Sequence, residues 1–489
     1  MPYKDLKEFI ARLKAEGELV EIQEPVAAHL EVSEICDRVV KAGGPALLFH
    51  HVTGYQGRPD ARYPMPLLIN TFGTLRRMEM ALETPSLDAV AEEITGLLEP
   101  EVPKGLLAKL KMLPMVRRLG DLVPKSVKDA SCQEVVETAN PSLEGLPIIQ
   151  CWPGDAGPYI TLPMVFTRHP VEKTPNIGMY RLQKFDNQTL GLHWQRHKGG
   201  AEHYRVAEGL GQRLEVAIAL GPDPAVIYSA TAPLPEGIDE LMLAGFLRRQ
   251  SVEVVRCKTV DLEVPANSQI VLEGYCEPGE RRREGPFGDH TGFYSLADDY
   301  PVFHLTAVTH QRDPIYPTII VGRPPMEDGP LGKGTERIFL PLIKKTVPEI
   351  VDINLPVEGI FHNFAIVSIR KRYPGHARKV MHAIWGLGQL MFTKVVIVVD
   401  ERCNVQDLQE VMWRVGTHFD PKHDVLISEG PADVLEFANR MPDYGGKMGI
   451  DATRKWPDEG YTREWPPEIE MDSDVRARVS KLWPKLGLG

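Results

Sequence analysis

Between residues 146 and 325 the chain breaks into short β-rich runs at 160–167, 214–220, 226–230, 252–255, 270–272, 302–308 and 318–321, each separated from the next by Gly, Pro or Asp. One helical pattern, at 238–248, interrupts them. Short strands at this spacing favour antiparallel pairing over a parallel sheet, whose crossovers each need a dozen residues or more. The region is predicted to form an antiparallel barrel or sandwich.

The flanks read differently. Leu6, Phe9, Ile10 and Leu13 fall at helical spacing, with Gly17 as a stop; strands at 46–49 and 66–70 and helices at 75–82 and 87–98 follow. Residues 99–145 are rich in Pro, Lys and Leu without a clear period and read as a connection. Beyond Pro324-Pro325, helices at 335–346, 376–392 and 405–416 alternate with strands at 364–369, 395–399 and 425–428, as in a βαβ-type domain, and 472–487 reads as a terminal helix. The predicted class is a mixed α+β and α/β multidomain protein. It has an N-terminal α/β region over 1–120, a β-rich domain over 121–325 and a C-terminal α/β domain over 326–489.

Composition removes several functions. With 489 residues, 43% hydrophobic and 25% charged, the chain is an ordinary globular sequence with material for two or three cores. The net charge is −11 and the basic residues are scattered, which argues against nucleic acid as a partner. There is no apolar leader and no run of ~18 apolar residues, so the chain reads as cytoplasmic, neither exported nor membrane-spanning. Six cysteines without a C-x-x-C read as reduced core thiols rather than zinc ligands or disulfides. Neither G-x-G-x-x-G nor G-x-x-x-x-G-K-[ST] occurs, so no nucleotide motif names a cofactor.

Two stretches concentrate chemistry. The first runs N-I-G-M-Y-R at 176–181 and L-H-W-Q-R-H-K-G-G-A at 192–201. As a strand it would put Asn176, Gly178 and Tyr180 on one face, to touch a phosphate or metal, and Met179 and Arg181 on the other. A surface ion pair with half-exposed histidines is the competing reading. The second, R-E-G-P-F-G-D-H-T-G-F-Y at 283–294, holds Glu284 and Asp289 five apart across Gly-Pro-Phe-Gly, which forbids a long helix or strand and predicts a bent loop. Two acids on one rigid loop suit a proton donor beside a charge that holds an arginine. A plain turn with Asp capping the backbone would look similar. Glu240, on the helical pattern after P-L-P-E-G-I-D, reads by itself as a solvated helix residue.

These segments together resemble the UbiD family of decarboxylases, which use prenylated FMN. The likeness runs through G-G-P-A-L-L-F at 43–49, C-W-P at 151–153, N-x-G-x-Y-R at 176–181, H-K-G-G-A at 197–201 and E-G-P-F-G-D-H-T-G at 284–292. It continues through G-R-P-P at 322–325, F-T-K-V-V-I-V at 392–398 and G-G-K-M-G-I-D-A-T at 445–453, and is strongest to the bacterial polyprenyl-hydroxybenzoate decarboxylases of ubiquinone biosynthesis.

The resemblance implies a split β-barrel cofactor domain like that of flavin reductases and a C-terminal α/β oligomerisation domain. It implies that Asn176, His197 and Glu240 hold a divalent metal, usually Mn²⁺, bridging to the cofactor phosphate, with K⁺ nearby; amide, imidazole and carboxylate donors suit Mn²⁺. Lys198 and Lys394 would neutralise the phosphate. Met179, Tyr180, Arg181, His193, Trp194, Gln195 and Gly199 match cofactor-contacting segments, with arginine common at the position of His193. Arg181, Glu284 and Asp289 would form the catalytic trio. A flavin prenyltransferase would supply the cofactor, the chain would form a homo-oligomer through its last domain, and a polyprenylated substrate would bring it to the membrane surface. Two other readings compete: a flavin reductase using ordinary FMN, and a non-enzymatic scaffold of a quinone-synthesis complex. A scaffold has no need of the Arg181, Glu284 and Asp289 trio.

Overall fold

The computed structural model describes residues 2–98, 120, 122–195, 198–234 and 239–487. Most of the predicted connection, and His197, lie outside these residues. The architecture is mixed α/β and multidomain, as the sequence predicts.

The N-terminal region packs Leu6–Ala15 and later helices on a sheet of four strands, Leu19–Ile22, Ala46–Phe49, Leu67–Ile69 and Tyr316–Pro317 in spatial order. The first helix buries Leu6, Phe9, Ile10 and Leu13, the four positions of its apolar stripe, and Gly17 follows it at φ +73°. The last strand comes from far downstream, Tyr316 pairing in parallel with Leu67 of the strand Leu67–Ile69. A buried carboxylate adds a second tie between these regions, since Glu327 accepts the Phe72 backbone N–H at 2.7 Å.

The central sheet has nine strands and every pairing in it is antiparallel. Its path runs from Pro175–Gly178 through Met164–Arg168, Leu214–Leu220, Ile270–Glu284, Asp298–His310, Thr189–Leu192 and Leu182–Lys184 to Tyr159–Ile160, with Val135–Glu137 attached to Asp298–His310. Among the described residues no ladder joins the two ends of this path. Two strands are far longer than their apolar cores suggest: Ile270–Glu284 has 15 residues and Asp298–His310 has 13. The exposed ends, Arg281–Arg283 on one strand and Asp298–Asp299 on the other, are charged, so hydrophobicity marks only the buried part.

Two predicted strands are corrected. Residues 226–229 lie in the helix Pro224–Ser229, with Ala230 as its C-cap, because Asp223 caps its start by accepting the Val226 N–H and Pro224 occupies the first turn, a start signal that outweighs β-branched composition. Residues 318–321 form no strand; Thr318 and Ile319 are held instead by hydrogen bonds to Leu68 and Thr161.

The C-terminal sheet orders Ile350–Asn354, Phe364–Ile369, Val395–Asp400, Tyr444–Ala452 and Val425–Pro431, the inner three parallel and the outer two antiparallel. Helices Asp328–Thr346, His376–Trp385 and Leu408–His418 match the predicted alternation, while the strand Tyr444–Ala452 is hidden in sequence by its glycines. The terminal helix Ser473–Leu486 buries no residue. All six cysteines are buried and free. No helix among the described residues is long and apolar enough to cross a membrane.

Candidate active site

Four adjacent strands of the central sheet carry the site. Leu182–Lys184 pairs with Thr189–Leu192, which pairs with Asp298–His310, which pairs with Ile270–Glu284. Arg181 immediately precedes the first of these and Glu284 ends the last, so sheet pairing brings residues 103 apart in sequence into contact. The sequence reading needs correction on two points. The strand carrying Asn176 ends at Gly178, so Arg181 is aimed by the following strand rather than by alternation along one strand. Glu284 sits in the sheet, opposite Asp298, and only Asp289 is on the bend.

The bend is fixed by its backbone donors. Gly285, at φ +87°, donates its N–H to Gln183 Oε1 at 2.8 Å, and Gly288 donates to Asp155 Oδ1 at 2.7 Å. A Cβ on Gly288 would lie 2.2 Å from the Trp152 ring, so the close approach of loop and indole requires glycine. Ser295 Oγ accepts the Phe287 N–H at 3.2 Å.

Arg181 ties the acids together. Its Nε donates to Glu284 Oε1 at 3.0 Å, its Nη1 donates to Asp289 Oδ2, and its Nη2 reaches Ser295 Oγ at 3.0 Å. The guanidinium also lies over the Phe287 ring, 4.7 Å from its centroid. Glu284 is fully buried and Asp289 is 6% exposed. Burial would raise both carboxyls, but hydrogen bonds from His193 and Arg181 hold Glu284 below the usual range, and the Arg181 charge with His290 holds Asp289 well below it. A cation lies between the two acids and favours the ionised form of both.

His193 joins this cluster, with Nδ1 at 2.9 Å from Glu284 Oε2 and 2.9 Å from Arg181 Nη2. A carboxylate only accepts and a guanidinium only donates, so Nδ1 makes one of these bonds at a time: as Nδ1–H it donates to Glu284, and as a bare nitrogen it accepts from Arg181. Burial and the neighbouring Arg181 hold the ring neutral. Among the described residues its Nε2 and the Trp194 indole Nε1 are buried polar atoms without a hydrogen-bond partner.

A second group lies on the strand Pro175–Gly178 and the facing helix. Glu240 opens the helix Glu240–Arg248, capped by Asp239, and its Oε2 accepts the Ile177 N–H at 3.2 Å. Burial pushes its carboxyl up to about 7. Asn176 Nδ2 reaches Tyr180 OH at 3.4 Å, and a Cβ on Gly199 would sit 2.0 Å from Asn176 Oδ1, so the helix Gly199–Gly209 starts against that amide. Lys198 caps this helix, and burial lowers its ammonium; its nearest polar partner is Gln389 Oε1 at 3.3 Å. Met179 packs between two cores and Gln195 is half-buried. Lys394 is paired with Glu436 at 3.0 Å within its own domain. Among the described residues no three His, Cys, Asp or Glu side chains cluster to hold a metal; Asn176 and Glu240 supply an amide and one carboxylate, and His197 lies outside the described residues.

Phe287, Ser295, Gln183 and Asp155 were not singled out from sequence. Their roles arise from contacts across separate strands, for which no local motif exists.

Three segments match the 3-octaprenyl-4-hydroxybenzoate carboxy-lyase (UbiD) family: its N-terminal domain at residues 10–94, its Rift-related domain at 125–324 and its C-terminal domain at 330–452. An uncharacterized protein of Archaeoglobus fulgidus is 52% identical over 488 residues, covering 99% of each chain. Among solved structures, vanillic acid decarboxylase of Sedimentibacter hydroxybenzoicus in its closed form aligns with a TM-score of 0.85 at 28% identity, over 100% of both chains. The UbiD-class enzyme HmfF of Pelotomaculum thermopropionicum, in complex with FMN, aligns with a TM-score of 0.77 at 31% identity over 95% of this chain and 97% of that one. The matches span all three regions of the fold and include the Arg181, Glu284 and Asp289 cluster within the Rift-related segment, so the chain belongs to the UbiD family of carboxy-lyases.

Proposed function

We propose that this protein carries out non-oxidative, reversible decarboxylation of an aromatic, hydroxybenzoate-like acid, or of an α,β-unsaturated acid, with prenylated FMN as cofactor. The observation that carries this reading is Arg181 gripping two buried carboxylates of different surroundings. A related structure of an evolved dimeric HmfF contains prFMN, which supports the cofactor.

The residues present fit such a cofactor. Among the described residues His193 Nε2 and Trp194 Nε1 are buried without partners, Lys198 is a half-buried ammonium with no carboxylate bonded to it, and Glu240 is a half-buried carboxylate with no cation paired to it. Asn176, Glu240 and His197 would hold Mn²⁺, with K⁺ close by, and Lys198 would face the phosphate. When bound, prenylated FMN supplies the electron sink for the carbon that loses carbon dioxide. Arg181 orients the departing carboxylate, while an acid of the pair returns the proton; Asp289 is the favoured donor, with Glu284 fixing the guanidinium. A flavin prenyltransferase supplies the cofactor.

The test is to reconstitute the chain with prenylated FMN and screen hydroxybenzoates, prenylated and plain, with naphthoates and heteroaromatic acids for carbon dioxide release. Release from none, with NADH oxidation by the ordinary FMN form, would transfer the reading to a flavin reductase.

Glu240→Ala removes the one carboxylate of the proposed metal group and is expected to lose Mn²⁺ and flavin together. Metal analysis and flavin absorbance check this, and full occupancy of both would overturn the assignment.

The chain is also expected to be a homo-oligomer through its C-terminal region. Leu482, Trp483 and Leu486 on the terminal helix are each about half exposed, at 48%, 47% and 52%, and apolar area of that kind is ordinarily covered by a second copy. A stable monomer by light scattering at micromolar concentration would contradict this.

A further inference from the structure

We propose that His290 stores the proton that Asp289 delivers to the product carbon, and that His362, reaching across from the C-terminal domain, is the positioning residue that holds the His290 ring in its proton-loaded form. The inference rests on the decarboxylase reading and concerns where its proton comes from.

Decarboxylation leaves the electron pair of the broken C–C bond on the substrate carbon, and a new C–H bond must take up one proton for each carbon dioxide released. Asp289 is held ionised by Arg181, so it has no proton of its own to give. Its other oxygen is the route of supply. Oδ1 accepts from the His290 backbone N–H at 2.8 Å and lies 2.8 Å from the same residue's ring Nδ1. On the far side of the ring, His290 Nε2 is 3.0 Å from His362 Nε2. A bond between two imidazole nitrogens contains one proton, and a carboxylate can only accept. Two arrangements satisfy both contacts: a neutral His290 that accepts the His362 Nε2–H, or an imidazolium at His290 that donates Nδ1–H to Asp289 and Nε2–H to a neutral His362, whose own proton then sits on Nδ1, a buried nitrogen with no hydrogen-bond partner among the described residues.

The surroundings favour the second arrangement. Asp289, Asp328 and Asp433 face His290 with negative charge, Arg181 stands behind Asp289, and the Phe361 ring stacks on the imidazole at 5.5 Å between centroids. Burial opposes the charged ring, but the bond and charge of Asp289 outweigh it and raise His290 above its ordinary value. Burial and the charge of His290 push His362 down to about 4, against Asp433 and Glu436, with Lys198 adding to the depression. The Asp328 carboxyl, itself buried, is pushed up to about 6.

In the step, the His290 Nδ1–H bond breaks as an O–H bond forms on Asp289, and that proton passes to the carbon. His290 is left neutral, and a proton from solvent restores it after the product leaves. One carboxylate and one proton become one C–H product and one carbon dioxide.

Two measurements test the proposal. The first is ¹⁵N-histidine NMR of the full chain, with the His290 signals identified by their loss in His290→Asn. In the wild type both ring nitrogens of His290 should carry protons at pH 7. The titration should move down in His362→Ala and return in His362→Gln, whose amide oxygen accepts the Nε2–H. The second is the pH profile of kcat in reconstituted enzyme. Its alkaline limb, where His290 loses its proton, should shift to lower pH in His362→Ala and be restored in His362→Gln. His290→Asn should lower turnover by ~100-fold or more with cofactor retained, the scale of lost acid–base catalysis. A wild-type His290 that is neutral at pH 7, or an alkaline limb unmoved in His362→Ala, would overturn the proposal. Failure to decarboxylate any acid would remove the parent reading, while the NMR titration decides the charge of His290 by itself.

Discussion

Arg181→Ala is expected to abolish turnover to the limit of detection and to destabilise the fold at the same time. The guanidinium has three functions in one place: it balances Glu284 and Asp289, fixes their separation and orients the substrate carboxylate. Without it two buried carboxylates face one another with only His193 and His290 as side-chain partners among the described residues. Breaking a buried ion pair by removing one partner costs about 3–5 kcal/mol. Both carboxyls should then rise toward or above their ordinary range, and the stability they contribute should change sign with pH. In the wild type their depressed values stabilise the fold above the unfolded-state carboxylate range, and that stability is lost as pH falls through the folded values. In the variant that contribution is absent, and carboxyls raised above the ordinary range destabilise the fold as pH rises, so the gain in stability from pH 4 to pH 8 should shrink or reverse. Chemical denaturation at pH 4 and pH 8 measures the difference; an unchanged pH dependence would mean that Arg181 does not bind the two acids in solution. Arg181→Lys separates the roles, since a single ammonium restores charge but cannot fork to both acids.

The acid variants should give the second large effect with little structural cost. Glu284→Gln and Asp289→Asn keep the shape of each side chain and are each expected to lower turnover at least ~100-fold with flavin bound, the magnitude of lost general acid catalysis. They should differ in mechanism. In deuterated solvent the wild-type product carries label at the former carboxyl carbon, and hydrogen exchange of product at that position should vanish in the variant that removes the donor. Loss of exchange in Asp289→Asn with partial retention in Glu284→Gln would assign the donor as Asp289. Near-normal decarboxylation and exchange in both variants would reduce the bend to a structural turn.

Legibility in the sequence followed the range of the interaction. Helix Leu6–Ala15 and strands Ala46–Phe49 and Phe364–Ile369 were readable because periodicity and local stops determine them within a few residues. The Pro224–Ser229 helix is hard to read because Val226 and Ile227 favour a strand, while the Asp223 cap and the first-turn proline start a helix. The Arg181, Glu284 and Asp289 trio was nameable from resemblance, yet its geometry was not. Gly191 shows why: a Cβ there would lie 2.7 Å from the Phe185 ring and 3.4 Å from Glu284 Cγ, a requirement visible only once three strands lie side by side. His362 carried no signal at all, because its partner His290 is 72 residues away in another domain.

The short strand Tyr316–Pro317 has a consequence for how the chain comes off the ribosome. It covers Leu67–Ile69, whose side chains are fully buried in the finished protein, and the Phe72 to Glu327 bond closes a loop of 255 residues. Closing a flexible loop of that length costs about 5 kcal/mol of chain entropy. At roughly 5–20 residues per second, the first sheet waits on the order of tens of seconds for its last strand. During that interval Leu67–Ile69 is an exposed, wholly apolar sheet edge, the kind that recruits other chains. A nascent fragment halted before residue 316 is thus the species of this protein with the greatest need of a chaperone.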